Sequence, residues 1–376
     1  MHYRRFGKTN LHLSAFSLGT MRYLTSEKGA VQVIRRAIEL GINHLETARG
    51  YGKSEQFLGT ALRAGLPLSR QQLFITTKIP PMPDRASMAR CIDESLERLG
   101  TDYLDCFAIH GLNTWEQLGW IENPDGCMAA VRRAVESGKI RHVGFSTHAP
   151  LEIILRSIST EQFEFVNLHY YLFNQRNLPA VDLARAKDMG VFIISPADKG
   201  GMLFTPPQTL QALCEPFTPL ELNYRFLLSD PQITTLSFGA ATPAELDQFL
   251  GVSDREEPLT FEEQAAIDRL KTHQQKVLGT DQCSQCLQCL PCPESINIPE
   301  VLRLRNLAVA YDMTDFGKYR YRMFENAGHW FPGRKANRCT DCGDCLPRCP
   351  EELNIPKLLR DTHDRLNGTP RRRLWG

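Results

Sequence analysis

The sequence carries little net charge. Its 376 residues hold 44 Lys+Arg against 43 Asp+Glu, a formal +1. Nucleic acid calls for a basic excess, so no nucleic-acid partner is expected. No stretch approaches the roughly 20 apolar residues of a membrane span. The opening Met1-His2-Tyr3-Arg4-Arg5-Phe6-Gly7 lacks the apolar core of a secretory signal, so a cytoplasmic protein off the membrane is expected. Structural disulfides are rare in that compartment. Hydrophobic residues at 42% and charged residues at 23% are ordinary for a globular protein, which excludes disordered and collagen-like classes.

Cysteine, by contrast, is plentiful. Of 12 cysteines, eight fall in the last 94 residues: Cys283, Cys286, Cys289, Cys292, Cys339, Cys342, Cys345 and Cys349. The scattered Cys91, Cys106, Cys127 and Cys214 read as small buried hydrophobes. This clustering divides the chain into residues 1–275 and 276–376. The balance of charge shifts with it: residues 281–376 hold 15 Lys+Arg against 12 Asp+Glu.

In the first segment, short β-prone runs alternate with helical patterns. Strands are expected at Ser17–Met21, Asn43–Thr47, Leu73–Lys78, Tyr103–His110, Arg141–Ser146, Phe165–Tyr170, Val191–Pro196 and Thr234–Gly239. Helical stretches such as Ala30–Leu40, Ser87–Leu99 and Cys127–Ser137 lie between them. Such alternation calls for parallel pairing with right-handed crossovers. Eight units in about 250 residues match a closed (β/α)₈ TIM barrel. The competing open sheet usually shows a glycine fingerprint after its first strand, and Gly19-Thr20-Met21-Arg22 is not one. Tyr3–Leu13, with turn residues between two apolar pieces, predicts a β-hairpin plugging the barrel bottom.

Barrel active sites lie at the C-terminal strand ends. There the second, third and fourth strands bring Glu46, Tyr51, Lys78 and His110 to one rim. Reducing a carbonyl with hydride makes an alkoxide that needs a proton. A tyrosine near an ammonium is expected to have a lowered pKa and to serve as that acid. A carboxylate would hold the lysine, and a histidine can orient the carbonyl.

Residues 1–275 resemble the aldo-keto reductase family. The resemblance runs through Arg5-Phe6-Gly7-Lys8-Thr9, Ser17-Leu18-Gly19-Thr20-Met21, Gly41-Ile42-Asn43, Thr47-Ala48-x-x-Tyr51-Gly52-x-Ser54-Glu55, Thr77-Lys78, His110 and Val143-Gly144-Phe145-Ser146. It implies a nicotinamide-dependent carbonyl reductase with Tyr51 as acid/base and Lys78 and His110 in the catalytic tetrad. Glu46 stands at the tetrad's aspartate position, one methylene longer. The resemblance places Ser146, Thr147 and Asn167 on the nicotinamide carboxamide, with Thr147 where asparagine is frequent. The loops after strands seven and eight often bind phosphate in barrels; they supply Pro196, Gly239 and Thr242 as candidate contacts. Where many members carry an arginine for the adenosine 2′-phosphate, this chain has Glu245, with Gln248 nearby. NADP(H) is expected by family habit, and NAD(H) stays open.

The second segment reads Cys283-x2-Cys286-x2-Cys289-x2-Cys292-Pro293 and Cys339-x2-Cys342-x2-Cys345-x3-Cys349-Pro350. Three cysteines at x2 spacing wrap an iron–sulfur cubane, and a remote Cys-Pro supplies a fourth ligand. Zinc, the rival, prefers two pairs. Residues 292–303 repeat as 349–360, each with Asn-Ile-Pro where a helix starts. Leu302–Val309 and Leu358–Leu366 look helical. This segment resembles α-helical ferredoxin domains, and the whole chain resembles the aldo-keto reductases that carry one. By that resemblance the ligands cross over: Cys283, Cys286, Cys289 and Cys349 hold one 4Fe–4S cluster, and Cys339, Cys342, Cys345 and Cys292 the other. Arg320, Arg322, Arg334, Lys335 and Arg338 are expected to balance cluster charge or to meet an acidic, ferredoxin-like electron carrier. Arg371-Arg372-Arg373 reads as a solvated tail.

The expected activity is reversible hydride transfer between NADP(H) and a small aldehyde or ketone, with two 4Fe–4S clusters for electron transfer or redox sensing. The alternative is an iron–sulfur electron-transfer or sensor protein whose barrel is no carbonyl reductase. Clusters that serve only as structural staples are a third reading. Hydride moves two electrons and a cluster one, and no flavin signature is present to couple them.

Overall fold

The computed structural model describes residues 1–22 and 26–369. The Arg371–Arg373 run lies outside the described residues. The chain forms two compact units, Met1–Lys199 with Tyr224–Pro258, and Gly200–Asn223 with Leu259–Gly376.

In the first unit, β1 (Tyr3–Arg5) and β2 (His12–Ser14) form an antiparallel hairpin. Eight parallel strands follow: β3 (Phe16–Gly19), β4 (His44–Glu46), β5 (Phe74–Ile79), β6 (Leu104–His110), β7 (Ile140–Ser146), β8 (Phe165–Leu168), β9 (Gly190–Ile193) and β10 (Thr235–Gly239). They close into a barrel in the order β10-β3-β4-β5-β6-β7-β8-β9. The expected strands therefore all form. Met21, Thr47, Tyr170 and Pro196, read as strand ends, lie beyond the ladders in the rim loops.

The strands are nearly all buried, apolar for the most part, with polar residues such as Ser17, His44, Thr76 and Asn167 among them. The helices Glu27–Glu39, Arg85–Leu99 and Cys127–Glu136 turn one apolar stripe inward. Ser26 and Asp84 cap the first two, each accepting from the backbone N–H three residues on. The hairpin plugs the barrel as expected. Phe6 and Leu13 join Cys106, Ala108, Phe165 and Phe192 in one core cluster. A Cβ on Gly190 would come within 2.2 Å of the Phe6 ring, so glycine makes room for the plug. Cys106, Cys127 and Cys214 are buried as expected, whereas Cys91 is only half-buried.

The second unit is helical: Gln208–Cys214, Phe261–Leu278, Ile298–Tyr311, Thr314–Tyr321 and Ile355–Leu366. The two repeat helices start earlier than their apolar pattern suggested. Asn297 and Asn354 cap them in matching fashion, accepting from Glu300 N–H and Lys357 N–H, with proline in each first turn. Among the described residues no helix is long and apolar enough to cross a membrane.

Candidate active site and iron–sulfur centres

The rim loops are tied together before any functional group is placed. Thr47 donates its hydroxyl to Ser54 Oγ (2.8 Å), and Ser54 donates to Thr20 Oγ1 (2.6 Å). The loop carrying Tyr51 is thus fixed to the ends of β3 and β4. Glu55, also buried, accepts from Thr77 Oγ1 and from Arg98 Nε, each at 2.6 Å, and pins the same loop to β5.

On this frame the four predicted residues meet. Lys78, 2% exposed, donates to the Glu46 carboxylate and to Thr47 O at 2.8 Å. Its ammonium stands 4.9 Å from the centre of the Tyr51 ring. The Tyr51 and His110 rings meet edge to face, centroids 5.6 Å apart. The extra methylene of Glu46 leaves the ion pair intact.

Electrostatics depart from expectation at Tyr51. Its phenol is pushed well above the usual 10, by burial first and then by the Glu46 charge. The expected lowering by Lys78 is not found, because Lys78 is paired with Glu46 and offers little net positive field. Burial lowers the Lys78 pKa, with Glu46 opposing. Burial, then Lys78 and Lys199, brings His110 down to about 3, so its imidazole is neutral at ordinary pH.

Ser146 and Asn167 are opposite each other on β7 and β8. Ser146 Oγ accepts from Gly111 N–H at 3.1 Å. Asn167 Nδ2 approaches Glu46 at 3.5 Å, while its buried Oδ1 has no hydrogen-bond partner among the described residues. The Thr147 hydroxyl donates to Leu112 O (2.8 Å) and accepts from Ala149 N–H (3.0 Å), which makes it a brace between rim loops. Pro196 is buried in the turn after β9. Gly239 ends β10, and Thr242 precedes the 3₁₀ helix Pro243–Val252.

Sequence reasoning missed several residues. His44 lies two positions before Glu46 on the inward face of β4. Its two ring nitrogens meet Ser17 Oγ and Thr76 Oγ1, each at 2.7 Å, in a polar layer beneath the site. Burial and Lys78 bring its pKa down to about 3. His148, His169 and Tyr171 form a hydrogen-bonded row after β7 and β8. Arg22 binds Glu245 and Gly239 O.

In the second unit both cysteine motifs turn left-handed at matching positions. Gln285 and Asp341 have φ of 60° and 56°; Leu287 and Gly343 have 67° and 81°; Ser295 and Glu352 have 56° and 51°. Such left-handed turns bring successive N–H groups together as anion-binding nests, common at iron–sulfur sites. Gln285 N–H donates to Cys283 Sγ at 3.4 Å. Cys292, Cys339, Cys342 and Cys345 line one cavity. Cys283 is pushed up to about 11 by burial, with Cys286 and Cys349 among the neighbouring groups. Each triple thus has the other motif's remote cysteine beside it. Among the described residues no three His, Cys, Asp or Glu side chains converge on a single-ion site. Thiols spread around a cavity suit a cluster of several atoms better than one zinc ion. Two of the basic residues expected to face a carrier are engaged locally: Arg338 pairs with Glu325 and Arg334 with Glu294.

A barrel with this rim, joined to a domain with two cysteine nests, is the architecture of an oxidoreductase with an iron–sulfur appendage. Residues 15–272 match the aldo/keto reductase family, and the chain belongs to that family. Residues 282–354 match the 4Fe-4S dicluster domain. Among solved structures, an aldo-keto reductase from Bacillus halodurans in its holo form is similar, with a TM-score of 0.62 and 25% identity over 72% of this chain and 96% of that one. An uncharacterized oxidoreductase of Bacillus subtilis, YqkF, is 24% identical over 73% of this chain and 96% of its own length. The L-glyceraldehyde 3-phosphate reductase of Escherichia coli is 31% identical over 40% of this chain and 46% of its own length.

Proposed function

We propose that the barrel catalyses reversible hydride transfer between a nicotinamide dinucleotide, NADP(H) or NAD(H), and a small aldehyde or ketone. The observation that carries this reading is the meeting of Glu46, Tyr51, Lys78 and His110 at one barrel rim. A bound reduced nicotinamide supplies the hydride. Tyr51 gives the proton to the carbonyl oxygen, and its raised pKa keeps that proton in place until the alkoxide forms. Neutral His110 orients the carbonyl by hydrogen bonding. Lys78, held by Glu46 and Thr47 O, faces the phenolate that remains.

Asn167 and Ser146 suit a carboxamide, which needs both donor and acceptor. The Asn167 Oδ1, without a hydrogen-bond partner among the described residues, fits the amide N–H₂. Thr147 braces the loops beside them. Pro196, Gly239 and Thr242 frame the dinucleotide phosphates.

The eight tail cysteines hold two 4Fe–4S clusters with crossed ligands, Cys349 completing the set of Cys283, Cys286 and Cys289, and Cys292 that of Cys339, Cys342 and Cys345. The clusters supply one-electron transfer. Cys286 and Cys342 are exposed, which supports exchange with a ferredoxin-like carrier. That exposure also favours a second reading, in which electron transfer or redox sensing is the main task. Anaerobic purification with iron counting, an electron paramagnetic resonance spectrum and a nicotinamide titration with a panel of aldehydes separates the two. Dinucleotide oxidation by aldehydes supports the reductase, and cluster reduction without any aldehyde turnover rejects it.

A further inference from the structure

The two cysteine motifs differ in length by one residue. Cys289-Leu290-Pro291-Cys292-Pro293 in the first becomes Cys345-Leu346-Pro347-Arg348-Cys349-Pro350 in the second, so Arg348 is the insertion. It is half-buried and lines the cavity shared by Cys292, Cys339, Cys342 and Cys345. Its Nε donates to Asp344 O at 2.8 Å and its Nη2 to Pro291 O at 3.1 Å. One guanidinium thus holds the residue before Cys345 and the residue before Cys292. Both acceptors are neutral carbonyls. The other arginines around this motif are engaged by carboxylates: Arg360 by Asp341 at 2.6 Å, Arg338 by Glu325 at 2.8 Å and Arg334 by Glu294 at 3.9 Å. Among the described residues no carboxylate pairs with Arg348, so its charge is left to the cavity.

We propose that Arg348 raises the reduction potential of the centre formed by Cys292, Cys339, Cys342 and Cys345, so that this centre accepts an electron before the other. The proposal rests on the reading of two 4Fe–4S clusters with crossed ligands and adds their order of reduction. One electron passes from a reduced one-electron carrier, which is oxidised, to the centre, with no proton and no bond exchanged. It leaves one more negative charge there, and a fixed cation beside the centre favours that state. Net charge, hydrogen bonds to sulfur and solvent exposure set such potentials. Exposure matches site for site: Cys286 and Cys342 are exposed, Cys289 and Cys345 buried, and the other four half-buried. Exposure therefore does not separate the two centres, whereas charge does. The first motif has no residue at the place of Arg348, and the Glu351 carboxylate acts on its Cys283. Two contacts run the other way. Asp341 Oδ1 lies 4.0 Å from Cys339 Sγ, but Arg360 neutralises it. Gln285 N–H donates to Cys283 Sγ at 3.4 Å, a long bond from a neutral donor that a full charge outweighs.

The test is an anaerobic redox titration of the full, cluster-loaded chain with dithionite, followed by electron paramagnetic resonance, for wild type, Arg348→Gln and Arg348→Lys. Iron is counted in each. Cys342→Ser identifies the wave of the second centre, because it alters a ligand of that centre alone. Wild type should show two waves, the higher belonging to the second centre. Arg348→Gln keeps a donor and removes the charge. It should lower that wave by about tenfold in the reduced-to-oxidised ratio at a fixed potential, about 59 mV for one electron. Arg348→Lys keeps the charge and should hold the wave near its wild-type position. A merely structural role would move both variants alike. A single wave in wild type, or a second centre that is reduced last, overturns the proposal whatever the variants do. So does a wave unmoved in Arg348→Gln or moved equally in Arg348→Lys, and in each case the cluster reading stands. Wild-type protein without iron overturns both.

Discussion

Lys78 and Glu46 form a nearly solvent-free ion pair that crosses from β5 to β4, under the Tyr51 ring. Breaking one side of such a pair leaves a charge buried alone, which typically costs about 3–5 kcal/mol. The pair therefore joins the stability of the barrel to the arrangement of its rim.

Glu46→Gln should lower stability by about that amount and reduce aldehyde turnover, because Lys78 loses its anchor. Glu46→Asp, which keeps the charge, should retain activity. Steady-state rates and urea midpoints for the three proteins check this. Indifference of both quantities to Glu46→Gln would remove Glu46 from the site.

Tyr51→Phe should cut carbonyl reduction by about 10²–10⁴-fold, the usual contribution of a general acid. Dinucleotide affinity should stay unchanged, since the phenol is placed on the carbonyl oxygen. A variant that turns over at the wild-type rate would dismiss Tyr51 as the proton donor.

Acid should weaken the barrel through His44. Its pKa is about 3 in the folded chain against 6.5 ordinarily. Between those values the unfolded chain binds the extra proton, so stability falls as pH drops through the window. The slope is up to about 1.4 kcal/mol per pH unit for this one group. Above pH 6.5 the contribution is fully present. Urea midpoints from pH 7 to pH 4 should fall less steeply in His44→Gln. Parallel slopes would contradict the assignment.

The tail should bind about eight irons as two cubanes. Cys292→Ser should damage the cluster built on Cys339, Cys342 and Cys345, and Cys349→Ser the one built on Cys283, Cys286 and Cys289. Iron counts with electron paramagnetic resonance of each variant check the crossing. Loss of the cluster on the same motif instead would show uncrossed ligands.

The eight strands were legible because buried parallel strands are short apolar runs set apart by amphipathic helices. Their ends were not, since the apolar character continues past the last ladder pair into rim loops such as Thr47. Glu46, Tyr51, Lys78 and His110 were legible from their places at successive strand ends. His44 carried a signal in its two-residue offset from Glu46, although a lone histidine in an apolar run gives no hint of its hydroxyl partners. The Arg22–Glu245 pair is separated by 223 positions. It exists because barrel closure sets the last strand beside the first, and no local pattern announces that. The sign of the Tyr51 shift depended first on how deeply the fold buries the phenol and then on the nearness of Glu46, and neither is written in the local sequence.

The two cysteine loops share a fold and differ at one telling position. Gly343 adopts its left-handed turn freely, whereas Leu287 holds the matching turn with a side chain, at a cost of about 1–2 kcal/mol. Loop 283–289 therefore holds two non-glycine residues, Gln285 and Leu287, in the left-handed region, while loop 339–345 holds one, Asp341. Stripped of iron, the two halves of the tail should come apart in sequence: the leucine side lets go first, and the glycine side remains as a template for reassembly.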